Sequence, residues 1–222
     1  MLRQVLKILS ILMICIMIGL IFLWVPSESS MGITQKIMYI HVPSILTTYL
    51  ALAISFICSV GYLWKRKEIL DVIAFSAMEL GAVFCGLALT TGAIWGKPTW
   101  NTYWTWDARL TLTLVLFLIF SGYLLLRKFT DHGEQQARIC AIIAIIGTLD
   151  IPLIHLSVVW WRTLHQTSTI LSTKKQAIDK PLLMMLIFSI CSLFTLFAFL
   201  LSTRIHLEKQ NRDYAKRVAN MY

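Results

Sequence analysis

The sequence has few charged residues, and it lacks the motifs of several common enzyme classes. Lys, Arg, Asp and Glu make up only 14% of its 222 residues, and no Walker motif is present. The chain therefore hydrolyses no nucleotide itself. There are 5 cysteines but no Cys-x-x-Cys and no Cys-x-x-Cys-His, which excludes a thiol oxidoreductase and a c-type cytochrome. The cysteines all fall in apolar segments, where we expect small buried hydrophobic residues: Cys15, Cys58, Cys85, Cys140 and Cys191.

Long apolar runs are what the sequence has in abundance. Apolar residues make up 58% of the chain, in blocks long enough to cross a bilayer. The segment VPSESSMG after the first block lacks a clear small-residue cleavage site, so we interpret that block as a retained span. The sequence predicts an all-α integral membrane protein of one domain with six transmembrane helices. The predicted spans are about 8–25, 42–64, 69–94, 108–126, 139–161 and 182–203, followed by a short cytoplasmic tail at 204–222.

Basic residues are distributed unequally between the two sets of loops. One set of 13 comprises Arg3, Lys7, Lys65, Arg66, Lys67, Arg127, Lys128, Arg138, Arg204, Lys209, Arg212, Lys216 and Arg217. The alternate set of 7 comprises Lys36, Lys97, Arg109, Arg162, Lys174, Lys175 and Lys180. By the positive-inside rule, both termini are predicted to be cytoplasmic. The net charge of +9 then reflects topology and attraction to membrane lipid, and it requires no nucleic acid.

The segment 95–111, WGKPTWNTYWTWDARLT, carries four of the eight tryptophans and is predicted to lie on the outer side. Pro98 suits the first turn of a short helix, which would place Trp100, Tyr103, Trp104 and Asp107 on one side. An extended segment would instead align Trp100, Trp104 and Trp106. Either geometry makes an aromatic platform for a flat apolar ligand. The alternative is an aromatic belt at the level of the lipid headgroups.

Three histidines are predicted to lie near the same outer side. His41 begins the second span, with Pro43 marking the helix start, and His165 lies in the last outer loop. His155 lies about a turn and a half inside the fifth span. Two outer histidines with an aromatic segment between them favour a ligand site over isolated interfacial residues. Spacing alone allows either His155 or His165 to pair with His41.

The motif Trp-x-x-x-x-Trp-x-Thr-aromatic-Trp-x-Trp-Asp-x-Arg-Leu-Thr resembles the tryptophan-rich "WWD" signature of haem-handling membrane proteins of cytochrome c biogenesis. The segments YIHVPS at 39–44 and PLIHLSVVWWRTLHQ at 152–166 are similar to the two histidine segments of the haem exporter protein C family. Two positions depart from that pattern: Asn101 stands where glycine is usual, and Tyr103 where tryptophan is usual.

The resemblance implies a site for haem b, bound transiently, with His41 and His165 as the two axial ligands of the iron. The platform would comprise Trp95, Trp100, Tyr103, Trp104 and Trp106, since aromatic rings stack on a porphyrin or border it. His155 would then be a packing or supporting residue.

The charged residues of the segment have two expected roles each. Arg109 is the first candidate to bind the haem propionates, and Lys97 and Arg162 are further candidates. Arg109 could equally anchor the fourth span at the headgroups. Asp107 suits the N-cap of that span, and it could also hold the ring N–H of a ligating histidine. Glu79 and Asp150 are costly in lipid and should face other helices or a partner subunit.

The resemblance further implies a haem-delivery protein of the bacterial inner membrane, with no catalytic residues of its own and a periplasmic haem site. The expected partners are a periplasmic haem chaperone, an ABC-type ATPase and permease, and a small single-span subunit. Two alternatives remain open. One is a haem ligase that attaches haem directly to apocytochrome c, although such proteins are usually larger. The other is a plain membrane transport permease whose aromatic loop is only an interfacial belt.

Overall fold

The computed structural model describes residues 1–27, 31–130, 133–161, 163–165 and 179–221, and these residues form a helical bundle. A short 3-10 helix, Ile33–Ile37, precedes the second α-helix. The α-helices are α1 (Leu2–Leu23), α2 (Met38–Lys65), α3 (Glu68–Trp100), α4 (Ala108–Phe129), α5 (Glu134–Thr148), α6 (Asp150–Trp160) and α7 (Lys180–Ala219).

The six predicted spans are present among the described residues. Five of them are α1, α2, α3, α4 and α7, and the sixth is formed by α5 and α6 together. All are long and apolar enough to cross a bilayer. The prediction of an all-α fold with six transmembrane helices is therefore confirmed.

Helices α2 and α3 lie at the centre of the bundle and contribute to both of its larger hydrophobic clusters. The first cluster joins them to α1 and α7. In this cluster the rings of Phe84 and Phe197 meet edge to face with centroids 6.2 Å apart, a distance typical of aromatic pairs. The second cluster joins them to α4, α5 and α6 around Phe120. Gly81 of α3 allows this close packing, because a Cβ there would lie 2.6 Å from the Phe120 ring.

The third span is longer than predicted, and this changes the interpretation of the tryptophan-rich segment. Helix α3 continues through Pro98 to Trp100 instead of ending near residue 94. The prediction that Pro98 starts a separate short helix is wrong. Proline removes the hydrogen bond to the carbonyl of Ile94, but near the end of a helix this loss interrupts few further bonds.

Two other helix boundaries near prolines differ from the prediction. Pro43 does not mark the start of α2, which begins at Met38, so His41 lies about one turn inside the helix. The fifth span is not continuous: α5 ends at Thr148 and α6 begins at Asp150. Pro152 has no N–H to donate to the carbonyl of Thr148, which favours a break at that point.

Helix α7 extends well beyond the predicted span. Its 40 residues correspond to roughly 60 Å, about twice the thickness of the hydrocarbon core. The predicted tail at 204–222 is thus helical as far as Ala219. Ion pairs hold this extension against α3. Arg204 Nε donates to Glu79 Oε2 at 2.6 Å, and Lys216 Nζ donates to Glu68 Oε2 at 2.6 Å.

Asp71 forms the most buried ionic cluster of the described chain. Its carboxylate accepts from both terminal guanidinium nitrogens of Arg127, one of them at 2.9 Å, and from Arg212 at 2.8 Å. Arg127 also donates to Tyr123 Oη at 3.0 Å. The cluster connects α3, α4 and α7 at the end of the bundle opposite the tryptophan-rich segment. Only 3% of Asp71 is exposed, so its charge depends on these partners.

We expect Asp71→Ala to destabilise the protein by about 3 to 5 kcal/mol, because it leaves the buried Arg127 without its counter-charge and removes one of the carboxylates paired with Arg212. The measurement is reversible unfolding in mixed detergent micelles. The control is Glu134→Gln, which breaks the exposed pair between Arg66 and Glu134 at 3.1 Å. That change should cost less than about 1 kcal/mol. Equal losses in the two variants would contradict the structural role of the Asp71 cluster.

The expectations for intramembrane acids and cysteines are met only in part. Glu79 faces α7 through Arg204, as expected. Asp150 is buried, and its Oδ2 has no hydrogen-bond partner among the described residues. All five cysteines are free thiols; Cys85 and Cys140 are buried as predicted and Cys58 is partly so. Cys15 and Cys191 are exposed, because their helices turn those positions away from the rest of the bundle.

Candidate functional site

The last turns of α3 begin the site and carry Trp95 and Trp100. The helix ends because Asn101 adopts a left-handed conformation, with φ of 59°. Asparagine tolerates this conformation better than most residues with a side chain, which explains how it replaces glycine here. Lys97 Nζ donates to the carbonyl of Asn101 at 3.0 Å and lies 5.5 Å from the centre of the Tyr103 ring. Lys97 thus stabilises the turn out of the helix.

Residues 101 to 107 form an irregular loop, so neither of the two regular geometries expected for the whole segment is correct. Thr102 Oγ1 donates to the carbonyl of Trp104 at 2.9 Å, which tightens the loop. The rings of Trp104 and Trp106 meet edge to face with centroids 5.6 Å apart. Trp106 is 76% exposed and Tyr103 is 60% exposed. The loop therefore presents aromatic surface outward as well as toward the helices.

His41 is fixed against α3 by contacts on several sides. Its Nδ1 lies 2.9 Å from the carbonyl oxygen of Ala88 and 3.3 Å from Thr91 Oγ1. Its ring meets Trp95 edge to face at 5.8 Å. It also covers Gly92, where a Cβ would lie 2.9 Å from His41 Cε1. Because a carbonyl oxygen only accepts, the hydrogen bond places the proton of the neutral ring on Nδ1 and leaves a lone pair on Nε2.

His165 has a similar environment, but it contacts different residues of the segment. Its Nδ1 lies 3.2 Å from Asp107 Oδ2, and its ring meets Trp100 edge to face at 4.7 Å. Burial lowers the pKa of His165, and the positive charge of Arg109 lowers it further, while Asp107 opposes both effects. The lowered pKa favours the neutral ring. With Nδ1–H donating to the carboxylate, Nε2 again carries the lone pair.

Asp107 performs a structural and a linking role together. Its Oδ1 accepts from the backbone N–H of Leu110 at 2.9 Å, which makes it the N-cap of α4. Its Oδ2 is the atom that contacts His165. Both contacts considered from the sequence are therefore present. One side chain connects the start of α4 to the histidine of the last loop.

Of the two described basic residues considered for the site, Arg109 and Lys97, Arg109 is the one available for a ligand. Its positive charge acts on the ring of His165. Within the described part of the chain, its guanidinium has no hydrogen bond and no ion pair. Lys97 is engaged by the turn at Asn101. Arg162 lies outside the described residues, as do Lys174 and Lys175 of the predicted outer set.

Several polar side-chain atoms around the loop are buried without a hydrogen-bond partner among the described residues. They are Trp95 Nε1, Trp104 Nε1, Thr105 Oγ1 and Thr111 Oγ1. Buried polar groups in native proteins are normally paired. Indole N–H and hydroxyl groups suit a ligand that brings its own acceptors, such as carboxylates.

Comparison with known proteins identifies the family. A family model described as "Heme exporter protein C" matches residues 1–220. The chain belongs to the haem exporter protein C family. A relative named heme exporter protein C from Haemophilus influenzae is 38% identical over 210 residues, covering 91% of this chain and 83% of the relative. One from Bradyrhizobium diazoefficiens is 37% identical over 192 residues, covering 86% and 71%, and one from Escherichia coli is 39% identical over 162 residues, covering 71% and 63%.

His155 lies apart from the paired contacts in this haem exporter protein C family member. Its Nδ1 lies 3.0 Å from the carbonyl oxygen of Ile151 in its own helix. Its ring contacts Tyr49 of α2 with centroids 5.3 Å apart. Among the described residues, its ring makes no aromatic contact and no hydrogen bond with the tryptophans of the segment 95–111. The geometry thus brings His41 and His165, and not His155, into contact with that segment.

The residues of α3 that position His41 were not predicted from the sequence. They are Ala88, which accepts its hydrogen bond, Thr91, which supplies a second contact, and Gly92, which gives it room. A usable signal was present. Ala88, Gly92 and Gly96 are spaced four residues apart, a small-residue pattern that lets membrane helices approach closely. The approach here admits the imidazole ring of the neighbouring helix.

Proposed function

We propose that this protein binds haem b transiently between His41 and His165 and delivers it to a periplasmic haem chaperone during cytochrome c maturation. The platform would be Trp95, Trp100, Trp104 and Trp106 with Tyr103. The main support for the proposal is that the two histidines have the same kind of hydrogen bond and the same kind of ring contact. Each has Nδ1 held by an acceptor and a tryptophan at the ring edge. Each can offer Nε2 to the iron, and two imidazoles saturate its axial positions.

The remaining contacts support a porphyrin as the ligand. Apolar aromatic rings suit its faces, and the buried indole N–H groups of Trp95 and Trp104 can donate to its carboxylates. Arg109 can bind a propionate in bidentate fashion. Its lack of a protein partner among the described residues, together with the effect of its charge on His165, supports this role. The names of the relatives, heme exporter protein C, agree with haem as the transported ligand.

The two proposed ligands differ in how firmly they are held. His41 lies inside α2 and packs on α3, whereas His165 lies outside the helices and is held by Asp107 and Trp100. A loop residue can leave the iron without disturbing a helix. We therefore infer that release of haem begins at His165, while His41 retains the haem until the chaperone accepts it.

The proposed partners are those that membership of the haem exporter protein C family implies for this chain. It contains no nucleotide-binding motif and has no catalytic residues in the proposed role. An ABC-type ATPase and permease would supply the energy, with a small single-span subunit completing the complex. The protein would lie in the bacterial inner membrane with both termini in the cytoplasm and the haem site in the periplasm.

An absorption spectrum of the detergent-purified protein with added haem, before and after addition of the chaperone, tests the proposal. A low-spin spectrum with two histidine ligands that decays as the chaperone acquires haem supports it. Covalent attachment of haem to apocytochrome c by this protein alone would instead support a haem ligase. A sample that never acquires haem absorbance would support a plain permease.

Reporter fusions test the orientation, which rests on the unequal distribution of basic residues. Fusions after Gln35 and Trp95 should report the periplasm, because few basic residues lie on that side. Fusions after Lys67 and Glu208 should report the cytoplasm. A cytoplasmic signal from the fusion after Trp95 would contradict a periplasmic haem site.

The fit of His41 against α3 is tested by Gly92→Ala. The added methyl would lie 2.9 Å from His41 Cε1, so the ring must move from its hydrogen bond to Ala88. We expect weaker haem binding by roughly ten-fold and an altered low-spin spectrum. The control is Gly122→Ala in α4, where a Cβ meets nothing within 4 Å. Haem binding that is equal in the two variants would contradict the role of His41.

A further inference from the structure

A cavity opens between α1 and α7 at the end of the bundle opposite the tryptophan-rich segment. Its volume is about 380 Å³, within the range of small-ligand sites. It lies among α1 residues near the start of the helix and α7 residues near the level where the predicted span ends. The lining residues are Met1, Arg3, Gln4, Lys7, Phe199 and Thr203.

Arg3 and Lys7 give the cavity its charge. They lie four residues apart on α1, so they share a face of the helix. No carboxylate lines the cavity. Among the described residues, neither side chain has a hydrogen bond or an ion pair. The cavity therefore combines two neighbouring cations with no protein counter-charge.

Several other cations at this end of the bundle have acidic partners, unlike Arg3 and Lys7. The ion pairs there are Arg66 with Glu134, Arg127 with Asp71, Arg204 with Glu79, Arg212 with Asp71 and Glu208, and Lys216 with Glu68. The protein thus neutralises the cations that hold α3, α4 and α7 together. The cations that line the cavity are left for a ligand.

The α7 wall of the cavity is partly apolar. Phe199 supplies an aromatic ring, and Thr203 is already engaged, since its hydroxyl donates to the carbonyl of Phe199 at 3.0 Å. Further along α1, the exposed side chains are apolar, including Ile8 and Ile11. A ligand that fits both parts has an anionic head and an apolar tail.

We propose that this cavity is a binding site for one anionic phospholipid, with the headgroup phosphate between Arg3 and Lys7. The acyl chains would lie along α1 and against Phe199. Basic pockets between membrane helices bind anionic headgroups in this way. The site is separate from the proposed haem site and does not depend on haem binding.

Native mass spectrometry of the full chain, released from micelles that contain equal amounts of phosphatidylglycerol and phosphatidylcholine, tests the proposal. We expect the parent to retain one phosphatidylglycerol selectively. The double substitution Arg3→Gln and Lys7→Gln should reduce that selectivity by roughly twenty-fold, because each cation near the membrane surface strengthens anionic lipid binding. The control is Lys65→Gln with Lys67→Gln, which removes the same charge from the turn between α2 and α3 and should retain the selectivity.

Two results would overturn the proposal. Equal losses in the two double variants would mean that lipid responds to total charge and not to this cavity. Displacement of the lipid by an excess of inorganic phosphate would mean that the cavity holds a free anion. Phe199→Ala separates these sources further, since it should weaken lipid retention without changing the charge.

Discussion

Alanine at His41 or His165 is expected to convert the low-spin two-histidine spectrum that we propose for the haem-loaded protein into a spectrum with altered ligation, or to abolish haem binding. Each change removes one of the two proposed axial bonds. His41→Ala should have the larger effect on retention, because His41 is fixed between α2 and α3 by Ala88 and Trp95. The measurement is absorption spectroscopy of the purified variants with added haem.

External imidazole and a third histidine make this experiment specific. Imidazole can fill a vacant axial position, so it should restore the low-spin spectrum of any variant that retains haem. It need not restore transfer to the chaperone. The matched control is His155→Ala, since His155 contacts Tyr49 and its own helix. If His155→Ala lost the parent spectrum and His165→Ala kept it, the assignment of the ligands would be wrong.

Replacing Trp100, Trp104 and Trp106 together by leucine is expected to leave the protein in the membrane at near-normal levels and to reduce haem transfer more than ten-fold. Leucine keeps the hydrophobicity of the segment but removes the flat rings and the indole donors. The change also removes the edge-to-face contact between the rings of Trp100 and His165, whose centroids are 4.7 Å apart. The ring of His165 would then be held less firmly. The measurement is the rate at which the chaperone acquires haem.

Other tryptophans at the same end of the bundle provide a matched control. Trp24, Trp160 and Trp161 are 50%, 57% and 55% exposed, as expected for an aromatic belt at the headgroups. Among the described residues, none of them makes a ring contact with His41 or His165. Their triple replacement by leucine should change transfer little. Equal effects of the two triple variants would favour the belt interpretation of the segment 95–111.

Much of the fold could be predicted because a bilayer restricts the possible structures. Apolar runs of span length must be helical, since no water satisfies the backbone inside the membrane. The number of spans and the start of α4 at Ala108 therefore agree with the structure. Boundaries near prolines were less predictable. Pro43 and Pro98 both lie inside helices, because packing of the surrounding turns outweighs one missing hydrogen bond.

The extension of α7 could not be predicted from local sequence alone. From sequence alone, a polar segment such as 204–219 is predicted to be a tail, because the residues that it contacts are unknown. Ion pairs join Arg204 to Glu79, Arg212 to Asp71 and Lys216 to Glu68. The three acidic residues are on α3 and lie more than a hundred positions earlier in the chain. Only the antiparallel packing of α3 and α7 brings these charges together.

The sequence by itself determined the class of this protein and the chemical groups of its site. Helical spans follow from hydrophobicity, and the histidines and tryptophans are recognisable by type and order. The tertiary structure decided which of these groups meet. It placed His41 on Gly92 and Ala88, joined His165 to Asp107 and Trp100, and left His155 against Tyr49. Spacing along the chain cannot decide this, because contacts between helices depend on how closely small residues let them pack.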